Sequence, residues 1–253
     1  MFADILDPVL SPLLRFSPFY AILIISFVVS IFVTLIYKFT TDQDKMKHMK
    51  QQMKKYQKEM KKLQSEPDKM MKVQKKAMQT NMEYMKMSMK STIFTIIPII
   101  LIFGWLKASL GFYPILPGEE FNVTAFTDDY SGNITLDADL QILSEPVQEV
   151  ADDKASWMLR GDAGIYVLEF KTPDEIKQKK VIITDEREYE QPETPYNEGN
   201  IEKIVVANRE IKPLQEIPVL KDIPWVGGFG WLGTYILLSI IFSISMRKLL
   251  RLS

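Results

Sequence analysis

Phe16-Ser-Pro-Phe-Tyr-Ala-Ile-Leu-Ile-Ile-Ser-Phe-Val-Val-Ser-Ile-Phe-Val-Thr-Leu-Ile-Tyr37 lies between Arg15 and Lys38 without a single charge. As a helix rising ~1.5 Å per residue, these 22 residues cover about 33 Å, enough for a hydrocarbon core of about 30 Å. No cationic stretch opens the run and it leaves through Tyr37-Lys38, so it is expected to remain as a span rather than be removed as a leader. Two more apolar runs follow. Ile223 to Met246 is free of charge, with Trp225 and Trp231 near its start and Arg247, Lys248 and Arg251 after its end, the aromatic and cationic anchors of opposite interfaces. Ser91 to Leu106 is shorter, and extends through Ala108 to Leu116 if Lys107 snorkels.

The 253 residues are 47% hydrophobic and 25% charged, with a formal net charge of −1, but the charge is confined between the apolar runs. A single soluble globule is therefore excluded. From Lys38 to Lys90 there are 15 lysines against 6 carboxylates; from Ala108 to Asp222 there are 11 cations against 24 carboxylates. Cationic loops stay cytoplasmic, so residues 38 to 90 are expected inside and residues 108 to 222 outside, with the N-terminus outside and the tail inside. Zero cysteines exclude a disulfide framework and a thiol nucleophile, and the lone His48 has no second histidine for a metal or a triad. No P-loop is present. Neither an enzyme nor a cofactor is expected.

In the basic block, Met46, Met49, Met53, Tyr56, Met60 and Leu63 repeat at intervals of three and four, the seam of a coiled coil. The pattern stops at Ser65-Glu-Pro67-Asp, a helix restart, and Met71, Met78, Met82, Met85 and Met89 carry one apolar face onward into the second span. An antiparallel helical hairpin is the reading. Eleven of the 14 methionines fall between Met46 and Met89. Methionine adapts to apolar partners of varied shape, so Met46, Met49, Met53, Met60, Met71, Met78, Met82, Met85 and Met89 are candidates for receiving hydrophobic segments. An ordinary, loosely specified coiled-coil core is the competing reading.

The acidic block alternates as half-buried strands, most clearly from Ile134 to Ile142, with further runs at Phe121 to Thr127, Ser156 to Leu159, Ile165 to Lys171, Val181 to Thr184 and Ile201 to Val206. A small sandwich is expected. Asp162-Ala-Gly-Ile-Tyr166 resembles a tyrosine corner of immunoglobulin-like domains. Asp128, Asp129, Asp137 and Asp139 lack EF-hand spacing and read as solvated surface. Two N-x-[ST] sequons, at Asn122 and Asn133, fall in this block and mark candidate glycosylation sites. Before the first span, Phe2, Ile5, Leu6, Val9, Leu10, Leu13 and Leu14 suggest an interfacial helix, broken by Pro8 and Pro12.

Hydroxyls are the remaining polar groups of the spans. Ser26, Ser30 and Thr34 recur every four residues in the first, Thr92 and Thr95 begin the second, and Ser239, Ser243 and Ser245 end the third. With the orientation above they gather toward the cytoplasm and frame a hydrophilic groove there; alternatively they are small packing residues bonded to their own helices. Pro98 leaves the Phe94 carbonyl without a donor and is expected to kink the second span.

Thr34-Leu-Ile-Tyr-Lys-Phe-Thr-Thr-Asp-Gln43, the Lys/Met hairpin, Pro98 with Phe103-Gly-Trp105, and Gly230-Trp-Leu-Gly-Thr-Tyr-Ile-Leu-Leu-Ser239 through Arg247-Lys-Leu-Leu together resemble the archaeal YidC-like membrane proteins of the Oxa insertase superfamily. The resemblance covers about residues 1 to 110 and 215 to 253. It implies a three-span, N-out insertase of the plasma membrane, with a cytoplasm-facing groove and a coiled coil that meets nascent membrane proteins or, through its basic surface, the ribosome. Eukaryotic relatives include subunits of endoplasmic reticulum membrane complexes, which suggests additional membrane subunits as partners beside the lipid bilayer. The groove arginine of bacterial members has no counterpart, and the outer block exceeds the short loop of the minimal core.

The expected architecture is thus an α-helical membrane protein: an extracytoplasmic interfacial segment at 1–18, transmembrane spans at 19–39, 91–110 and 223–246, a cytoplasmic coiled-coil hairpin at 40–90, an extracytoplasmic sandwich-like β domain at 111–222, and a cytoplasmic tail at 247–253. A membrane receptor or scaffold with an outer ligand-binding domain, or a channel formed by oligomerisation, are the rival functions. The orientation has a direct check. Single cysteines at Gln64 and Asn197 should react with impermeant maleimide from opposite sides of the membrane; labelling of both in intact cells would overturn the charge-based topology.

Overall fold

The computed structural model describes residues 3–223 and 225–250. Phe2 and Arg251, named above, lie outside them, as does the side chain of Ile5. The chain forms a helical unit, built from Phe19–Gly104 with the helix after Leu232, and an all-β unit within Trp105–Trp231.

At the N-terminus α1 (Ala3–Leu10) contains Pro8 and gives way to a 3-10 turn at Ser11–Arg15 that holds Pro12. Pro12 has no N–H to return to the Pro8 carbonyl, so the wider helix cannot continue. Helix α2 (Pro18–Thr40) opens on a proline, whose missing N–H has no use in a first turn, and runs 23 residues, about 34 Å. Helix α3 (Gln43–Lys62) is capped by Asp42, whose Oδ1 accepts the Lys45 N–H at 3.0 Å. Helix α4 (Pro67–Leu110) is continuous for 44 residues through Pro98. One helix therefore serves as both the second arm of the hairpin and the second span. Helix α5 (Trp231–Leu249) has 19 residues, about 28 Å. Stretches of α2, α4 and α5 are long and apolar enough to cross a membrane.

The third apolar run of the sequence begins at Ile223, but its helix begins at Trp231. Gly227, Gly228 and Gly230 precede that start, and residues 217–223 and 225–228 fold as turns and bends instead. An ideal Cβ at Gly227 would stand 2.4 Å from the Lys221 carbonyl oxygen, so that turn closes only over glycine. In the helical unit, Phe27 of α2 meets Phe242 of α5 edge-on at 5.3 Å, and the Arg247 guanidinium lies 4.9 Å over the Tyr37 ring. Both pairs advance in the same sense, so α2 and α5 run parallel, as the first and third crossings of one chain must.

The β unit contains β1 (Glu120–Thr127), β2 (Asn133–Asp137), β3 (Gln141–Ile142), β4 (Val147–Glu149), β5 (Lys154–Arg160), β6 (Gly164–Lys171), β7 (Ile176–Ile183), β8 (Glu193–Pro195) and β9 (Ile201–Val206). They pair antiparallel as two sheets, β3-β5-β1-β9-β8 and β4-β2-β6-β7. The alternating run from Ile134 to Ile142 is not one strand: it breaks after Asp137, and its two parts join different sheets. Strand β7 also starts five residues before Val181, through Lys177, Gln178, Lys179 and Lys180, whose charge conceals it in the sequence. Inward residues such as Val123, Leu136, Trp157, Leu168, Phe170 and Ile204 make the core, with Trp157 edge-on to Phe170 at 5.3 Å. Tyr166 donates to the Asp162 carbonyl at 3.1 Å, closing the corner that the sequence suggested.

Three polar contacts tie this unit together. The Tyr189 hydroxyl accepts the Gly111 N–H at 3.0 Å and donates to the Lys107 carbonyl, so it satisfies one of the orphan oxygens at the end of α4. Burial pushes its phenol up to about 12. Lys179, 1% exposed, donates to Thr194 Oγ1 at 2.7 Å and to the Gln191 carbonyl; burial lowers its pKa, with the Glu190 charge opposing. Glu175 accepts the Asn200 and Ile201 N–H groups at 2.7 and 2.9 Å and pairs with Lys177 at 2.8 Å. Burial alone would raise the Glu175 pKa, but these donors outweigh it and hold the carboxyl below its ordinary 4.5. The turn it clasps needs glycine at 199, where φ is +100° and a Cβ would strike the carboxylate.

Because the Glu175 pKa is lower folded than unfolded, its stabilisation is present above pH 4.5 and fades as pH falls through the folded value. Glu175→Gln should destabilise the β unit at pH 7 by about 1–3 kcal/mol and reduce its loss of stability in acid. Denaturant melts by near-ultraviolet circular dichroism at pH 7 and pH 4 read both effects; equal acid sensitivity in the two proteins would contradict the assignment.

Candidate functional site

The hydroxyls of the spans do not share one environment. Ser26, Ser30, Thr34 and Thr95 are buried, with Ser91 and Thr234, while Ser239 and Ser243 are half-buried and Thr92 is exposed. Most of their hydrogen bonds return to their own helices: Thr34 donates to the Ser30 carbonyl at 2.6 Å, Thr92 to Ser88 at 3.3 Å, Thr95 to Thr92 at 3.0 Å and Ser245 to Ile241 at 2.8 Å. Such back-bonding is the economical state of a hydroxyl in hydrocarbon. Ser26 Oγ and Thr234 Oγ1 are buried with no hydrogen-bond partner.

The methionines divide into two sets. Met46 and Met49 are buried in a small cluster with Tyr37, against which Tyr84 and Met87 pack, and the Tyr37 hydroxyl donates to Met46 Sδ at 3.4 Å. They root the hairpin at the end of α2. Met53 and Met60 are half-buried. On α4 the inward face is not the methionine face read from the sequence. Val73, Ala77, Thr80, Tyr84, Met87, Ser91 and Thr95, all buried or half-buried, follow one face at helical spacing. Met71, Met78, Met82, Met85 and Met89 stand on the opposite side and are 53–65% exposed.

That exposed face does not stop at the hairpin. Ile93, Ile96 and Ile100, all at least half exposed, fall at the next intervals of four, three and four, so one apolar stripe runs from Met78 to Ile100 along a single uninterrupted helix, with exposed Lys75 separating it from Met71. At ~1.5 Å per residue it is about 33 Å long. Lys72, Lys76 and Lys86 flank it, all exposed. The sequence reading took the five methionines but not the isoleucines, although the spacing of Ile93, Ile96 and Ile100 was there to continue it.

In the β unit, Tyr113, Glu119, Phe121, Arg187, Asn208 and Arg209 line a cavity of about 340 Å³, with the Arg209 guanidinium 4.4 Å over the Tyr113 ring. Asn122 lies within β1 and Asn133 opens β2; both side chains are exposed. Among the described residues, no group of three or more His, Asp or Glu side chains is placed to hold a metal ion.

The stretch that contains α1, the first span, the hairpin and all of α4 is where similarity to known proteins lies. Residues 5–126 match the family model described as integral membrane protein EMC3/TMCO1-like. That family stands in the Oxa1/YidC/Alb3/EMC3 insertase superfamily, which accords with a membrane protein related to membrane-protein insertion. The EMC3/TMCO1-like match ends within β1, so the rest of the β unit and α5 lie beyond it. No curated protein and no solved structure matches the chain.

Proposed function

We propose that the chain is a membrane-protein insertase of the YidC/Oxa-like type, of archaeal kind, in the plasma membrane, with the hairpin in the cytoplasm and the β unit outside. The observation that carries this reading is the continuous stripe on α4. A hydrophobic client segment held on Met78 to Met89 can move along Ile93, Ile96 and Ile100 into the bilayer without crossing a polar gap on the helix. Unbranched thioethers accept apolar side chains of many shapes, which suits a client set defined by hydropathy and not by sequence. Flanking lysines keep the arm soluble between clients and offer a surface to nascent chains emerging from the ribosome.

Energy for the transfer comes from burial of the client's apolar residues in lipid, at about 25 cal/mol per Å². The barrier is the client's polar flank, since each unsatisfied amide in hydrocarbon costs roughly 4–8 kcal/mol. Ser26, Ser30, Thr34, Thr92, Thr95, Ser239 and Ser243 form the polar wall in this proposal. Bonded inward at rest, the threonines release their hydroxyls to a passing flank when the helices part, and Ser26 already holds an unused one. No catalytic group or cofactor is required.

A receptor or scaffold is the second reading, favoured by the cavity beneath Arg209 and Tyr113. Site-specific photocrosslinking separates the two. Probes at Met71, Met78, Met82, Met85 and Met89 should capture an arrested nascent chain bearing one apolar segment several-fold more than probes at exposed Lys76 and Glu83, off the stripe. Equal capture at all sites, or capture of one fixed partner in place of the nascent chain, would contradict the insertase.

A further inference from the structure

Between the β unit and α5 the chain exposes apolar side chains that neither unit's core accepts. Ile211, Pro213 and Leu214 are buried and fix the start of this stretch. Beyond them Val219 is 78% exposed and Trp225 is 89% exposed, with Ile223 and Phe229 also exposed. We infer that residues 217–223 and 225–229 lie in the headgroup–acyl boundary of the bilayer, at the membrane face where α5 begins, as a lipid-binding collar. The inference rests on the three spans and not on any insertase activity.

Distance is the first argument. Only Gly230 separates Phe229 from the first residue of α5, and at ~3.5 Å per residue Trp225 lies within about 20 Å of the start of that span. The occupant of the exposed face is therefore most directly the surface through which α5 enters.

The backbone is the second. Leu220 and Lys221 donate to the Ile217 carbonyl at 2.9 and 3.0 Å, Ile223 to Leu220 at 3.2 Å, Val226 and Gly227 to Ile223 at 3.2 Å, and Phe229 to Val226 at 3.1 Å. A segment that satisfies many of its N–H groups within its own turns can enter a water-poor layer at lower cost than an open loop.

The tryptophan is the third. Trp225 has φ +74°, a region that bulky L-residues avoid, and the neighbouring turn closes through the Gly227 approach to Lys221. The strained backbone presents an indole outward, where water would be a poor solvent for it. Indole rings are enriched at membrane interfaces because they combine an apolar body with one N–H donor.

Charge is the fourth. Across residues 108–222 carboxylates exceed cations by 24 to 11, yet residues 209–222 carry Arg209, Lys212 and Lys221 against Glu210, Glu216 and Asp222. The excess negative charge that anionic lipid would repel is missing from this stretch.

The absence of native cysteine makes the test clean. Val219→Cys, Trp225→Cys and, as an aqueous reference on β9, Glu202→Cys are spin-labelled in the full chain and placed in nanodiscs of mixed phosphatidylcholine and phosphatidylglycerol. Collision rates with oxygen and with a water-soluble nickel chelate then report immersion. Labels at 219 and 225 should show a several-fold higher oxygen-to-nickel ratio than the label at 202, for a depth of about 5–10 Å. Val219→Cys keeps the indole in place, so it stands alone if Trp225→Cys does not fold. A ratio equal to the reference would put the segment in water, and low access to both reagents would mean cover by protein, a second copy included; either result overturns the collar.

Discussion

Hydrocarbon supplies no hydrogen-bond partners, and this limit decides where each kind of residue in the chain can stand. Backbone polarity is consumed within α2, α4 and α5. In the apolar stretches of those helices side-chain polarity is mainly that of hydroxyls, of which Thr34, Thr92, Thr95 and Ser245 bond back to their own turns. Charge is pushed to the ends, where Arg247 lies on the Tyr37 face. The same limit makes α4 unusual. One exposed stripe, from Met78 to Ile100, stays apolar even though part of it belongs to a lysine-rich hairpin, and the proposed client path follows that continuity.

Where water returns, the chain relies on a different set of bonds. The β unit is a two-sheet sandwich whose inner faces meet at Trp157 and Phe170. Its less regular segments are fixed by single polar groups, buried or half-buried: Tyr189 on the last turn of α4, Lys179 on the strand that holds Thr194, and Glu175 on the Gly199 turn. Each of these satisfies two partners on a segment distant from it in the sequence, so removing any of them leaves those partners unpaired.

Hydropathy and charge made the three apolar crossings and the separate strand-rich block legible from the sequence, because both follow from composition over long windows. Features that depend on which surface is covered were not legible. Val73-Ala77-Thr80-Tyr84-Met87 and Met71-Met78-Met82-Met85-Met89 both repeat at helical spacing, and the more apolar set is the one left outside. Burial at Tyr37, supplied by α2 and invisible to the periodicity of α3, separates Met46 and Met49 from the other methionines. The late start of α5 was written in Gly227, Gly228 and Gly230, but the charge-free run to Met246 masked it. The break at Asp137 depends on which sheet each half joins, a long-range choice that alternation cannot express.

The central claim is that the α4 stripe carries client segments toward the bilayer, and reconstituted insertion tests it most directly. Two versions of the protein are compared in liposomes, with Met71, Met78, Met82, Met85 and Met89 all changed to Leu in one and all changed to Gln in the other. Leucine preserves the apolar face and should insert a single-span client at close to the native initial rate. Glutamine matches methionine in length but not in hydropathy, and a loss of about 1.4 kcal/mol in client contact would slow insertion about tenfold. Native rates from the glutamine protein, at equal amounts of folded chain, would contradict the claim.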